Sequence, residues 1–220
     1  NLLQQSHAVH SRETARAARL AGIVGQSEFV SRLLDKLVRV ASTNLPVLIL
    51  GEPGLGRTSM ARSLHALSGR RGPLTIMNPQ SVEGAMDELL FGAEAAFGRT
   101  RRNGLLEAHD ATIVIENAGL LDTPVQERLT DLFERSETER VGGSRSYQAS
   151  ARLVLTAQAD QLHPALSERL RPGIIDVWPL RDRPEDIPAY ARLYLSGVGE
   201  QRQAGGFEIT PDGYRTLFAH

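Results

Sequence analysis

Between Gly51 and Ser59 the chain reads GEPGLGRTS, and the spacing of its glycines suggests a loop that grips phosphate. The pattern is G-x-x-x-x-G, then lysine, then serine or threonine. It is met at each fixed place except the lysine, where Arg57 stands. The chemistry is direct. Gly51, Gly54 and Gly56 let backbone N–H groups turn inward around phosphate oxygens, with Glu52, Pro53 and Leu55 between them. A helix beginning near Thr58 offers its positive end, the Thr58 hydroxyl is placed to hold Mg²⁺, and Ser59 completes the candidate set. Arg57 still supplies positive charge. A broad planar fork, however, meets the β- and γ-phosphates poorly, or crowds them, where a compact ammonium would not. The plain alternative is a glycine turn joining strand to helix with no ligand.

Such a loop works only between a buried strand and a helix. PVLIL, Pro46 to Leu50, is a short apolar run bounded by turn residues, which suits a buried parallel strand. LTIM (Leu74 to Met77), TIVIE (Thr112 to Glu116) and ARLVLTA (Ala151 to Ala157) repeat that pattern. Helical stretches separate them: Thr58 to Leu67 after the loop, and Val125 to Arg135 behind Pro124 at a first-turn position. Further upstream, Ser27 can cap a helix whose Phe29, Leu33, Leu34, Leu37 and Val40 fall on one face. Strands alternating with helices predict an α/β fold with a mainly parallel, five-stranded sheet. Residues 1–21 read as a linker helix entering from something upstream, 22–188 as the α/β core, and 189–220 as the start of a helical unit that the chain end cuts off.

The 220 residues, 41% of them apolar and 23% charged, have the balance of an ordinary globular protein. A net charge of −1 provides no basic field for nucleic acid within this segment. The absence of cysteine removes disulfides and thiolate metal sites together. His7 and His10 lack companion acidic ligands and read as a solvated helix face. With no apolar run of spanning length and no signal peptide, no membrane role is expected and a cytoplasmic location follows by default. Lys36 is the sole lysine, a skew that resembles a GC-rich coding bias and could by itself turn a loop lysine into Arg57.

IVGQS (Ile23 to Ser27), the loop segment from Val47 to Arg70, and ELLFGAEAAF (Glu88 to Phe97) occur in that order. GLLEAHDATIVIENAGLLDTPVQERLTDLFE (Gly104 to Glu134) and WPLRDRPEDIP (Trp178 to Pro188) follow. Together these resemble the central AAA+ domain of bacterial sigma-54-dependent activators, over roughly Gly22 to His220. The resemblance implies an AAA+ P-loop NTPase-type three-layer fold and ATP or ADP with Mg²⁺ at the loop. It also implies self-association, DNA contact through a helix-turn-helix outside this segment, and a surface loop with the sequence GAFTGA that engages sigma-54 RNA polymerase.

Residue by residue, the catalytic parts depart from that family. Glu116 stands at the metal-holding aspartate, one methylene longer, and Asn117 at the glutamate that polarises the attacking water. An amide cannot accept a proton there, and losing a positioned base costs about 10²–10⁴ in rate. His163 stands at the arginine finger, with Arg169 at the arginine that follows it, and Gln158 stands at the sensor asparagine. A finger is worth about 10³–10⁵ in turnover. The GAFTGA loop is shortened to AEAAFGRTRRNG, Ala93 to Gly104, keeping Phe97 but gaining Arg99, Arg101 and Arg102. That basic run reads as a solvated loop or, alternatively, as a contact for an anionic partner. The expectation is a degenerate module for oligomerisation or for nucleotide or ligand sensing, without remodelling of sigma-54 polymerase. Two other readings stay open: a slow but genuine ATPase, and a site for a cyclic dinucleotide whose phosphates Arg57 would meet bidentately.

Overall fold

The computed structural model describes residues 2–82, 84–95, 101–202 and 208–219. Phe97 and Arg99 of the loop lie outside the described residues, as do the side chains of His7 and His10. In chain order the elements are α1 (Leu2–Ala21), α2 (Glu28–Ala41), β1 (Val47–Leu50), α3 (Arg57–Leu67), β2 (Leu74–Met77), α4 (Met86–Phe91) and β3 (Thr112–Ile115). Then come α5 (Thr123–Arg135), β4 (Glu137–Glu139), β5 (Ser146–Gln148), β6 (Arg152–Ala157), α6 (Pro164–Leu170), β7 (Ile174–Asp176), α7 (Ile187–Arg202) and α8 (Pro211–Phe218).

The main sheet has five strands in the order β2-β3-β6-β1-β7, and every adjacent pair in it is parallel. Successive side chains of a strand point to opposite faces, and the core divides accordingly. Val47, Ile49, Val114 and Val154 pack with α2 and α3 on one face. Leu48, Ile113, Ile115, Leu153 and Leu155 pack with α4, α5 and α6 on the other. Both faces are covered, so the strands read as continuous apolar runs rather than alternating ones. The sequence placed the first four of these strands. It did not place β7, a three-residue strand behind Pro172 and Gly173, nor the antiparallel β4–β5 hairpin.

Helix α2 begins as its sequence dictates: Ser27 Oγ accepts the Val30 N–H at 3.2 Å, and Val30, Leu33, Leu34, Leu37 and Val40 are buried. Asp186 fixes that start from the far end of the chain. Fully buried, it accepts the N–H of Gln26 at 2.9 Å, the N–H of Ser27 at 3.0 Å and the Ser27 hydroxyl at 2.6 Å. A Cβ at Gly25 would stand 2.3 Å from Asp186 Oδ1, which is why only glycine fits there. Helix α1 lies against α2 and α3, burying Ala17 and Ala21, and the Arg16 guanidinium donates to Ala66 O at 3.2 Å.

The end of α2 is held by Arg152, the first residue of β6 and only 3% exposed. It donates to Val40 O at 2.7 Å, Ala41 O at 3.2 Å and Leu45 O at 3.0 Å. A cation at a helix C-terminus satisfies carbonyls that the helix itself leaves free. Burial, and then the charge of Arg70, pull this guanidinium down to about 10, so it stays charged at neutral pH. Replacing it with an apolar chain of similar length strands three acceptors, two of them buried. We expect Arg152→Met to cost about 2–3 kcal/mol and to lower the thermal midpoint by about 4–12 °C. Calorimetry or urea titration checks this, and parental stability in the variant would show that water replaces the guanidinium.

Candidate functional site

Parallel register brings several strand ends to one rim. Leu50 of β1 pairs with Ala157 of β6 and with Asp176 of β7, while Ile115 of β3 pairs with Leu155. The residues that follow, Gly51, Glu116, Gln158 and Val177, therefore leave the sheet at the same end. Open α/β sheets place ligands at the carboxyl ends of their strands. Gly51 passes close under Val177, and a Cβ there would stand 2.9 Å from Val177 O. Gly56 takes a left-handed conformation, φ +79 and ψ 22, as it opens α3 with no side-chain cap. The N–H groups of the first turn of α3 are thus left without side-chain acceptors. Leu55 packs against the core, and Glu52 forms an exposed ion pair with Arg181, whose Nη1 donates to Glu52 Oε2 at 2.9 Å. That guanidinium holds the Glu52 carboxyl below its usual range.

Two consecutive residues at the start of α3 meet two consecutive residues at the end of β3. The Thr58 hydroxyl donates to Glu116 Oε1, and Arg57 Nη2 donates to Asn117 Oδ1 at 3.0 Å. Arg57 is 9% exposed, and its Nη1 is buried without a hydrogen-bond partner. Burial lowers the guanidinium below its ordinary value, partly offset by the Glu116 carboxylate. Asn117 is itself fixed. Its φ of 50 and ψ of 50 are left-handed, a conformation asparagine tolerates better than most residues, and its N–H donates to Thr156 Oγ1 at 3.2 Å.

Thr58 and Glu116 offer oxygen donors suited to a hard cation such as Mg²⁺. The glycine loop, the uncapped helix end and the unpartnered Arg57 donor suit phosphate oxygens. Asn117, by contrast, has no proton-accepting group of useful basicity. These residues fit the holding of a nucleotide.

The remaining sequence candidates do not join that cluster. Gln158 lies on the same rim, half-buried, and its N–H donates to Gln161 Oε1 at 3.3 Å. His163 is exposed at the start of α6, and its backbone N–H, rather than its ring, makes the contact there, donating to Gln126 Oε1 at 2.8 Å. Arg169 is engaged by Glu134, its Nε donating to Oε1 at 2.9 Å. Ser59 lies on α3 with its carbonyl accepting from the Ser63 hydroxyl at 2.9 Å. Thr156 and Arg181 were not singled out from sequence, although Arg181 sits in the WPLRDRPEDIP segment that supports the family resemblance.

Residues 23–175 match the family model of the sigma-54 interaction domain. The chain belongs to this family. Among curated relatives of the sigma-54 interaction domain, it is 32% identical over 210 residues to the transcriptional regulatory protein ZraR of Klebsiella oxytoca, covering 89% of this chain and 47% of that protein. It is 34% identical over 208 residues to the Nif-specific regulatory protein of Azorhizobium caulinodans, covering 87% and 34% respectively. The chain thus spans between a third and a half of those relatives. Among solved structures it resembles NtrX from Brucella abortus in complex with ADP, at a TM-score of 0.74 and 26% identity over 100% of this chain and 54% of that one. NtrX in complex with ATP matches with the same TM-score and identity, over 99% and 51%. The expected AAA+ P-loop fold is therefore correct.

The segment Ala93–Gly104, set against the GAFTGA loop by the sequence resemblance, is tightly held at its described base. Ala93 and Arg102 exchange N–H···O bonds of 2.9 Å, while the N–H of Val141, beyond β4, donates to Gly92 O at 2.9 Å. Arg140, 6% exposed in its side chain, reaches Glu94 Oε1 at 3.1 Å and binds Glu107 with Nε and Nη2. The basic run is internally paired as well: Arg102 lies 3.3 Å from Glu88 and Arg101 4.0 Å from Glu94. Both side chains remain more than half exposed.

Arg57 and Asn117 should behave as one unit. In a double-mutant cycle of Arg57→Ala and Asn117→Ala measured by urea unfolding, the coupling should be about 0.5–1.5 kcal/mol in favour of the pair. Strict additivity of the two single changes would count against the contact.

Proposed function

We propose that this domain is a nucleotide-responsive AAA+ module of a transcriptional regulator, one that binds a nucleotide at Gly51–Ser59 without turning it over. It would serve nucleotide sensing or self-association rather than remodelling of sigma-54 polymerase. The observation that carries the proposal is the Arg57–Asn117 contact. A phosphate-loop cation that donates to an amide at the base position leaves that position without a group to activate water.

The holding residues would be the backbone of Gly51, Glu52, Pro53, Gly54, Leu55 and Gly56, the side chains of Arg57 and Thr58, and Ser59. Bound Mg²⁺ would neutralise phosphate charge, and Thr58 and Glu116 are the oxygen donors placed to hold it. The relatives with ADP and with ATP support the choice of ligand class. Contacts with a second copy, and with DNA through a helix-turn-helix outside this segment, belong to the same proposal. So do the linker at residues 1–21, the core at 22–188 and the start of a lid at 189–220.

Binding draws on the loop, whereas rate draws on groups that act only in the transition state. The test is accordingly paired: calorimetric titration with ATP, ADP and cyclic di-GMP, and steady-state phosphate release. We expect binding of an adenine nucleotide and no release above the protein-free rate. Arg57→Lys alone should leave release undetectable, because Asn117 and His163 still supply neither base nor finger. Combining it with Asn117→Glu and His163→Arg should make release measurable. Robust release by the unaltered chain, abolished by Glu116→Ala, would establish the slow ATPase instead. Heat from the cyclic dinucleotide alone would replace the ligand class.

A further inference from the structure

The proposed site holds a cation in an unusual posture. Lysine in a phosphate loop reaches toward the β- and γ-phosphates, and the residue at the base position stands beside the terminal phosphate and its water. The γ-phosphate therefore needs the gap between the start of α3 and the end of β3. In this chain that gap is spanned by protein, since Arg57 Nη2 lies 3.0 Å from Asn117 Oδ1.

Both partners are seated. Arg57 is 91% buried, the complement of its 9% exposure, and its Nη1 is enclosed without an acceptor. The Asn117 backbone is in the left-handed region and tied to Thr156 Oγ1 at 3.2 Å.

We propose that the Arg57–Asn117 contact makes this a site for nucleoside diphosphates that discriminates against triphosphates. This inference rests on the nucleotide-binding reading above. A terminal β-phosphate can rest on the loop N–H groups and the uncapped start of α3 while Nη2 stays on Asn117. A γ-phosphate requires the contact to open, which leaves the Asn117 amide without its partner and displaces the guanidinium from its buried seat. Arg57 and Asn117 are then specificity-determining residues, and their roles differ. Arg57 occupies the place of the third phosphate, and Asn117 keeps it there.

The experiment is calorimetric titration of the chain with ADP and with ATP, each with Mg²⁺. The unaltered chain should bind ADP at least tenfold more tightly than ATP. Asn117→Gly removes the amide yet suits the left-handed backbone, so the fold is kept; it should bring the two affinities within about threefold by a gain for ATP. Asn117→Asp replaces the neutral contact by an ion pair and should widen the gap. Arg57→Ala, like Asn117→Gly, should narrow the gap by a gain for ATP, and circular dichroism of each variant confirms the fold. ATP bound as tightly as ADP by the unaltered chain, or a gap that Asn117→Gly leaves unchanged, would overturn this inference while leaving the nucleotide reading intact. Silence with both nucleotides would overturn the two together.

Discussion

A buried guanidinium has to find acceptors, because its five donors cannot be left dry without cost. Arg57 finds one on Asn117, and that contact orders the rim of the sheet. It is made possible by strand order: β1 and β3 both flank β6, so the residue opening α3 and the residues closing β3 leave the sheet as near neighbours. Thr156, on β6 between them, takes the Asn117 N–H. The Thr58–Glu116 contact runs beside it. The phosphate loop is thereby tied to the sheet through side chains rather than through a ligand.

Arginine plays this part elsewhere in a chain with a single lysine. Arg152 binds three backbone carbonyls around the end of α2, and Arg140 binds two carboxylates at the base of the Ala93–Gly104 loop. Arg128 donates to Asp87 at 2.6 Å and lies 3.9 Å over the Phe91 ring. Each use needs a planar fork that reaches several acceptors at once, which an ammonium does not offer. A coding bias accounts for the abundance of arginine but not for these geometries. Arg57 belongs with them, since it is buried and directed at a specific amide rather than extended as a surface charge.

Much of this was legible before the structure. Val47 to Ile49 of PVLIL and Thr112 to Ile115 of TIVIE are buried strand residues, and such strands announce themselves by unbroken hydrophobicity. The GEPGLGRT spacing places the loop without further information, and the capping Ser27 marks the start of α2. What failed to show has physical reasons. Strand β7 is too short for a periodic signal and needs β1 as its template. The hairpin carries mostly exposed polar side chains, which leave no apolar alternation to read. Sixty positions separate Arg57 from Asn117, so nothing in the sequence links the two departures. In the fold they touch, so they are one change seen twice.

That coupling alters what each letter means. Arginine at 57 facing glutamate at 117 would form a buried ion pair, and such a pair immobilises both partners while still bearing the desolvation of two charges. Facing asparagine, the same arginine makes a neutral-acceptor contact, which is weaker and exchangeable. Lysine facing asparagine is a point charge with three donors rather than a fork, and it gives up the planar geometry that seats Arg57 against Asn117. Of these combinations, the one present keeps a cation at the start of α3 and ties it to the end of β3 through a neutral acceptor. That arrangement fits the proposed site, in which the loop backbone meets phosphate and Asn117 fixes the position of the cation beside it.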